Sequence, residues 1–339
     1  MSQTLEIQDF LKQGVSTTTI VDVRSPSEYS SGHIPGSVNI PLFSDDERKV
    51  VGTIYKKSGR DVAIKEGFKI LSAKFSQLMS TSEKEVKNGS LALYCWRGGM
   101  RSQALSWLFE KYNIKTYLLK GGYKSYRKLV RHFFSSKINL RVVGGMTGSG
   151  KTEILKEMRR RGHQVIDLEH IAHHKGSAFG SLGEEHQPTN EQFENDLLFE
   201  FLKLDIQKPI WIEDESRSIG RIFIPTELFE QMRATNLYLL HVPLEKRVEN
   251  LVKIYSEYEN SKLGECITKI GRRIGGQHLN EALKQLEDQN YPEVARIALK
   301  YYDKTYHYGI GKRNPSRIIH INSKDGDPVN NSNLLEQNI

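Results

Sequence analysis

The run Gly145-Met-Thr-Gly-Ser-Gly-Lys-Thr152 completes the pattern G-x-x-x-x-G-K-[ST] between an apolar stretch, LRVVGG, and a helix-like one, TEILKEMRRRG. Each residue type in that pattern has a physical task. Glycines let successive backbone N–H groups face inward as an anion nest on a helix N-terminus, Lys151 reaches terminal phosphate oxygens, and the Thr152 hydroxyl can hold Mg²⁺. The chain must therefore contain a strand–loop–helix unit of α/β type, with Gly145, Gly148, Ser149, Gly150, Lys151 and Thr152 as the diphosphate-binding set. The loop grips a diphosphate without saying which ester carries it, so kinase and ATPase readings stay open on this ground. Downstream, Ile210-Trp-Ile212 reads as a strand ending in Glu213-Asp-Glu215. Asp214 and Glu215 are the expected carboxylates beside Thr152 for the metal. Phe179, Phe199, Phe201 and Trp211 are apolar and near these motifs in sequence, and core packing is the better reading for each.

Similar alternation precedes the loop. TIVDVR (Thr19–Arg24), SVNIP (Ser37–Pro41), SLALYC (Ser90–Cys95) and TYLLKGG (Thr116–Gly122) read as strands, separated by capped turns and amphipathic stretches. After the loop, QVIDLE, PIWIEDES and NLYLLHVP continue the pattern. Strands alternating with helices imply parallel sheets. With 339 residues, at roughly 100–200 per domain, two domains are expected. They are residues 1–135, with a charged helical insertion at about 42–90, and residues 136–322. A polar, weakly structured tail is expected over 323–339.

Composition removes other classes. The two cysteines, Cys95 and Cys266, argue against a disulfide framework or a cysteine-rich zinc site. No window approaches the roughly 18 apolar residues of a membrane span, and the first residues carry no basic-then-apolar leader, so a cytoplasmic protein is expected. His170, His173 and His174 form the one histidine cluster and lack a second ligand pair, which leaves them as phosphate or RNA contacts or plain surface.

Cys95 is a second chemical site. It follows an apolar strand directly and opens Cys95-Trp-Arg-Gly-Gly-Met-Arg101, ahead of a helix. Loop amides, a helix N-terminus, Arg97 and Arg101 all favour a thiolate there, hence a nucleophile. Cys266 has no such surroundings.

Charge is uneven. Residues 1–137 hold 22 Lys/Arg against 12 Asp/Glu, while 138–339 hold 27 against 29. Lys111–Lys151 contains ten basic residues, no acidic one, and interleaved Tyr112, Tyr117, Tyr123, Tyr126, Phe133 and Phe134. Arg296–Arg317 is also basic and aromatic. Cations neutralise phosphates while rings stack on unpaired bases, so both segments suit RNA. Candidate contacts are Lys120, Lys124, Arg127, Lys128, Arg131, Arg296, Lys300, Lys304, Lys312 and Arg313. The competing reading is a solvated helix face whose rings pack inward.

These residues carry a resemblance. Asp22-Val-Arg24, Glu28-Tyr29, Gly32-His-Ile-Pro-Gly-Ser37 and Asn39-Ile-Pro41 resemble the first signature of rhodanese domains. Cys95–Ser102 and Gly121-Gly122 resemble their active loop and closing strand. Joined to a P-loop domain with Asp167-Leu-Glu169, His174-Lys-Gly-Ser177, Phe179-Gly180 and Glu213–Gly220, the chain resembles the bacterial tRNA 2-selenouridine synthase family over about residues 10–320. The resemblance implies a rhodanese-like parallel-sheet domain followed by a P-loop NTPase-like α/β domain. It implies two steps on the wobble 2-thiouridine of tRNA. Geranyl diphosphate would alkylate the ring sulfur with Mg²⁺ as cofactor, and selenium from selenophosphate would then replace the geranylthio group. Cys95 would carry the selenium, Arg97 and Arg101 would hold the donor, and a selenophosphate-producing enzyme would be the donor's source. The C-x₅-R loop is one residue longer than in most single-domain sulfurtransferases and matches rhodanese-fold phosphatases. A P-loop kinase or ATPase with a sulfurtransferase or phosphatase module is the alternative.

Overall fold

In a computed structural model of the chain, which describes residues 2–338, short extended runs build the first sheet in chain order. β1 (Gln3–Leu5) leads to α1 (Ile7–Ser16), β2 (Thr19–Asp22), α2 (Pro26–Ser31) and β3 (Val38–Asn39). A helical hairpin follows, α3 (Asp45–Ser58) and α4 (Arg60–Glu85), and then β4 (Ser90–Tyr94), α5 (Met100–Lys111), β5 (Lys115–Leu119) and α6 (Gly122–Phe134). The strands pair in the order β1-β5-β4-β2-β3, all parallel. Parallel strands must be covered on both faces, and the central β4, SLALY, is buried along its whole length. Leu91, Leu93, Leu105 and Phe109 are fully buried at its core, each contributing roughly 1.5–3 kcal/mol by leaving water.

The second sheet repeats the plan. β6 (Leu140–Gly145), α7 (Lys151–Arg160), β7 (Gln164–Ile166), α8 (Leu168–Ala172), α9 (Asn190–Phe201) and β8 (Ile210–Glu213) come first. A small antiparallel pair, β9 (Ser218–Ile219) and β10 (Ile222–Phe223), precedes α10 (Thr226–Ala234) and β11 (Leu237–His241). Four helices follow: α11 (Leu244–Tyr255), α12 (Asn260–Ile274), α13 (Gly276–Glu287) and α14 (Tyr291–Ile310). β12 (Ile318–Asn322) and α15 (Pro328–Gln337) close the chain. The order β12-β11-β6-β8-β7 is again all parallel. β6, which carries the phosphate loop, lies at the centre.

The chain divides into two units, one of residues up to Phe133 with Glu194–Phe199, the other of Phe134–Phe193 with Glu200 onward. No described helix is long and apolar enough to cross a membrane.

Two expectations are corrected. QVIDLE is extended only to Ile166, because the Asp167 side chain accepts from His170 N at 2.8 Å and starts α8. The C-terminal residues are not a weakly structured tail. Asp327 caps α15 by accepting from Asn330 N, Pro328 occupies the first helical turn, and Leu335 is fully buried. Arg161 at the end of α7 bonds Asn333 and Glu336 on that helix.

Candidate active sites: a thiol loop and a phosphate loop

In the first unit, Cys95 stands immediately after β4 and is 3% exposed. Its Sγ accepts from the Gly99 amide at 3.3 Å and from the Ser102 hydroxyl at 3.3 Å, two donors aimed at a sulfur that would carry negative charge. The loop is braced from behind by the glycine pair after β5. Gly122 has φ +60°, and a Cβ there would stand 2.2 Å from the Cys95 carbonyl oxygen and 2.4 Å from the Gly98 amide, so only glycine fits. Tyr123 N donates to that carbonyl at 2.8 Å.

The two arginines of the loop part company. Arg97 is exposed beside the thiol. Arg101 forks onto Glu28, at 2.5 Å and 3.1 Å, so it fixes the loop to α2 instead of facing a donor. Burial raises the Glu28 carboxyl, but the bonds and charge of Arg101, with Arg48, outweigh it and hold the group below its usual range. The Asp22–Arg24 pair is buried under the site, its guanidinium 3.9 Å from the Tyr123 ring centre and bonded to the Gly32 carbonyl. The rhodanese-like signature residues are thus the scaffold of the loop.

In the second unit, Gly148 and Gly150 have φ +81° and +79°, which turns the loop back upon the N-terminus of α7. Lys151 Nζ donates to the Gly145 carbonyl at 3.0 Å. α11 holds the outer side, with Asn250 donating to the Gly148 carbonyl and Arg247 to the Thr147 carbonyl. Tyr306 of α14 holds the base, accepting from Gly145 N at 2.8 Å and donating to Asp214 at 3.2 Å.

The carboxylates differ from expectation. Asp214 is buried and clamped by Arg313 at 2.5 Å, with Arg233 at 3.7 Å, so it is spoken for. Thr152 instead donates to Glu169 of α8, at 3.1 Å. Glu169 N donates to Glu213 Oε1 at 2.9 Å, and Glu213 Oε2 is buried without a hydrogen-bond partner. Burial and the neighbouring carboxylates push Glu213 well above its ordinary range. Burial, with the charge of Glu169, pushes Glu215 up to about 8. Gly176, at φ +69°, lets its loop pass both groups, since a Cβ there would lie 2.9 Å from Glu215 Oε2. His174 is buried and its Nδ1 accepts from Gly176 N, which makes it a brace of that loop rather than surface. Among the described residues no three His, Cys, Asp or Glu side chains are grouped to cage a metal. One hydroxyl with adjoining carboxylates does suit Mg²⁺, which keeps most of its shell for water and phosphate.

The phosphate loop, Glu169, Gly176 and Glu215 line a cavity of about 1240 Å³. The apolar part of its lining comes from Phe179, in the loop after α8, and from the helices after β11: Tyr255, Leu263, Ile270, Val294, Ala298 and Tyr302, with Lys269, Arg273 and Lys312 among them. Phe179 of the four sequence candidates lines it, while Phe201 and Trp211 are fully buried in the core.

The basic segments are partly corrected. Tyr117, Tyr123, Tyr126 and Phe134 pack inward. Lys124, Lys128, Arg131, Lys300, Lys304 and Lys312 are exposed, whereas Lys120 pairs with Glu6, Arg127 with Glu194, and Arg296 with Glu245. Arg313 is 5% exposed and bonds Asp214 and the Met232 carbonyl, which removes it from any RNA surface.

A family model described as the tRNA 2-selenouridine synthase AAA domain matches residues 138–327, and one described as the rhodanese-like domain matches residues 6–129. A tRNA 2-selenouridine synthase of Sulfurovum sp. is 34% identical over 94% of this chain and 96% of that one. The chain belongs to the tRNA 2-selenouridine synthase family. Another member, from Bdellovibrio bacteriovorus, is 40% identical over 73% of this chain and 66% of its own length. One from Nitrosomonas europaea is 36% identical over 74% of this chain and 66% of its own. Family membership accounts for a thiol loop and a phosphate loop in one chain, each at the C-terminal end of a central parallel strand.

Proposed function

We propose that this protein S-geranylates the wobble 2-thiouridine of tRNA with geranyl diphosphate and then exchanges the geranylthio group for selenium from selenophosphate, giving 2-selenouridine. The observation that carries the reading is that one cavity is lined both by the phosphate loop and by apolar side chains such as Leu263, Ile270 and Val294. A prenyl diphosphate has that polarity. Burying its ten-carbon chain gains several kcal/mol, at about 0.8 kcal/mol per methylene.

In the first step the ring sulfur forms a bond to the allylic carbon as the carbon–oxygen bond to diphosphate breaks. Loop amides and Lys151 stabilise the charge gathering on the departing oxygen. Thr152 with Glu169 or Glu215 would hold Mg²⁺, whose bound charge would offset that of the diphosphate. In the second step Arg97 holds the phosphate-bearing donor while the Cys95 thiolate attacks its phosphorus, a sulfur–phosphorus bond forming as the phosphorus–selenium bond breaks. The hydrogen selenide so released bonds to carbon 2 of the base as the geranylthiol leaves, and water then cleaves the phosphocysteine to return the thiol and phosphate, with no change of oxidation state. Arg101 acts here as a positioning residue through Glu28. A selenophosphate-producing enzyme supplies the donor, and a cytoplasmic location follows from the substrate.

Nucleoside mass spectrometry tests this. A 2-thiouridine tRNA is incubated with protein, Mg²⁺, geranyl diphosphate and selenophosphate, omitting each small molecule in turn. Geranylated nucleoside without selenophosphate, converted to selenouridine when it is added, is the expected result. An unchanged nucleoside throughout, with folded protein, overturns it and turns attention to ATP hydrolysis.

A further inference from the structure

The thiol loop has a neighbour that neither the sequence motifs nor the chemistry above employs. The α3–α4 hairpin folds back through Gly59, whose φ of +85° lets α4 begin at the next residue. α3 has no buried residue at all. Tyr55 and Phe68 are 53% and 56% exposed. From Arg48 to Lys74 the hairpin carries eight cations against Asp61 and Glu66. Arg48 and Lys74 are engaged by Glu28 and Glu47. Lys49, Lys56, Lys57, Arg60, Lys65 and Lys69 are exposed, and none makes an ion pair among the described residues. The turn of the hairpin also lies at the active loop, because Arg60 Nη2 stands 3.7 Å from Met100 Sδ, five residues after Cys95.

Unpaired cations flanking exposed rings form a surface for a polyanion with stackable bases, and a packed helical face needs neither. We propose that the α3–α4 hairpin is an RNA-binding arm that holds the substrate tRNA against the Cys95 loop, an inference resting on the tRNA reading above. Lys56, Lys57 and Arg60 at the turn grip phosphates nearest the thiol. Lys65 and Lys69, one helical turn apart on α4 with Phe68 between them, extend the track along the helix.

The test measures binding of a 2-thiouridine tRNA to the full-length protein by fluorescence anisotropy across a salt series. Two variants are compared with wild type, K56E/K57E/R60E and K65Q/K69Q, with K208E on the other unit as a charge control. The reversal should weaken binding at least tenfold and the glutamine pair about threefold, and K208E should do neither. Neutralising three phosphate contacts should lower the slope of log K against log salt by about 2–3. In turnover, KM for tRNA should rise more than kcat falls. If wild type binds the tRNA and both variants match it in affinity and salt slope, the arm is disproved. Should the reversal variant fail to fold, judged by circular dichroism, the glutamine pair decides alone. Variants that bind tRNA normally yet lose selenium transfer only when the donor comes from its producing enzyme would make the hairpin a protein-docking surface and overturn the proposal. A wild type that binds no tRNA would sink the underlying functional reading instead.

Discussion

The Thr152 hydroxyl donates to Glu169 Oε2 at 3.1 Å, across 17 residues of sequence, and so joins the phosphate loop to a carboxylate on α8 rather than to the acidic end of β8. Glu169 in turn receives its place from Glu213, through its own backbone amide. The Thr152 side of the loop is therefore built by two layers of carboxylate, Glu169 and Glu213, of which Glu213 never reaches the cavity.

Removing the Lys151 ammonium should abolish geranylation while sparing the later step. Lys151→Ala is expected to slow formation of geranylated tRNA by about a hundredfold or more, the usual cost of one preorganised charge donor. Preformed geranylated tRNA should still take up selenium, which mass spectrometry of the nucleosides reads directly.

Cys95→Ala should give the opposite pattern, with geranylated tRNA accumulating and no selenouridine forming. Melting temperature should change little, since a buried sulfur is replaced by a methyl group and only the contacts from Gly99 and Ser102 are lost. Unimpaired selenium incorporation would end the role given to this thiol.

Arg313→Ala should behave as a core defect. It strands Asp214 at 7% exposure without its main counter-charge, and losing one partner of a buried pair costs about 3–5 kcal/mol. Urea denaturation should show the loss, while the salt dependence of tRNA binding by the remaining folded protein stays as in wild type.

Glu215 offers a pH signature. Its folded-state value of about 8 lies above the ordinary 4.5, so the folded chain keeps a proton that the unfolded chain has released. Stability should therefore fall as pH rises from about 4.5 to about 8 and level off beyond. Glu215→Gln should flatten that slope in thermal melts without divalent cation. In wild type, Mg²⁺ should stabilise the fold more at pH 9 than at pH 6, because only the ionised carboxylate attracts it.

The parts of both sites that were legible in sequence are those whose chemistry is local. A glycine pattern between strand and helix dictates its own backbone, and a cysteine at a strand end meets the amides that follow it. Gly145–Thr152 and Cys95–Ser102 occupy those places. What sequence could not show depends on partners far along the chain. Arg313 reads as a surface cation until Asp214, 99 residues away, is seen to bury it. Arg101 reads as a substrate contact until Glu28, 73 residues away, takes its guanidinium. Asp214 and Glu215 were indistinguishable from Glu169 as partners of Thr152, since adjacent acidic residues at a strand end point in alternate directions. The apolar wall of the cavity was equally hidden, because an amphipathic helix such as α12 has the same pattern whether it faces a core or a ligand. The last helix does carry one sequence signal, since Asp327-Pro328 has the residue types of a helix start, although the residues after it are polar.

Lys151 is already satisfied, by the carbonyl of Gly145. Any anion that recruits it must present a better acceptor than a neutral peptide oxygen and repay the bond that is broken. A terminal phosphate oxygen of a diphosphate meets that standard, while a carboxylate or chloride, with less charge per acceptor, gains far less from the exchange. The loop thus sets a threshold of charge density for what it will hold, and discriminates before the apolar wall is ever consulted.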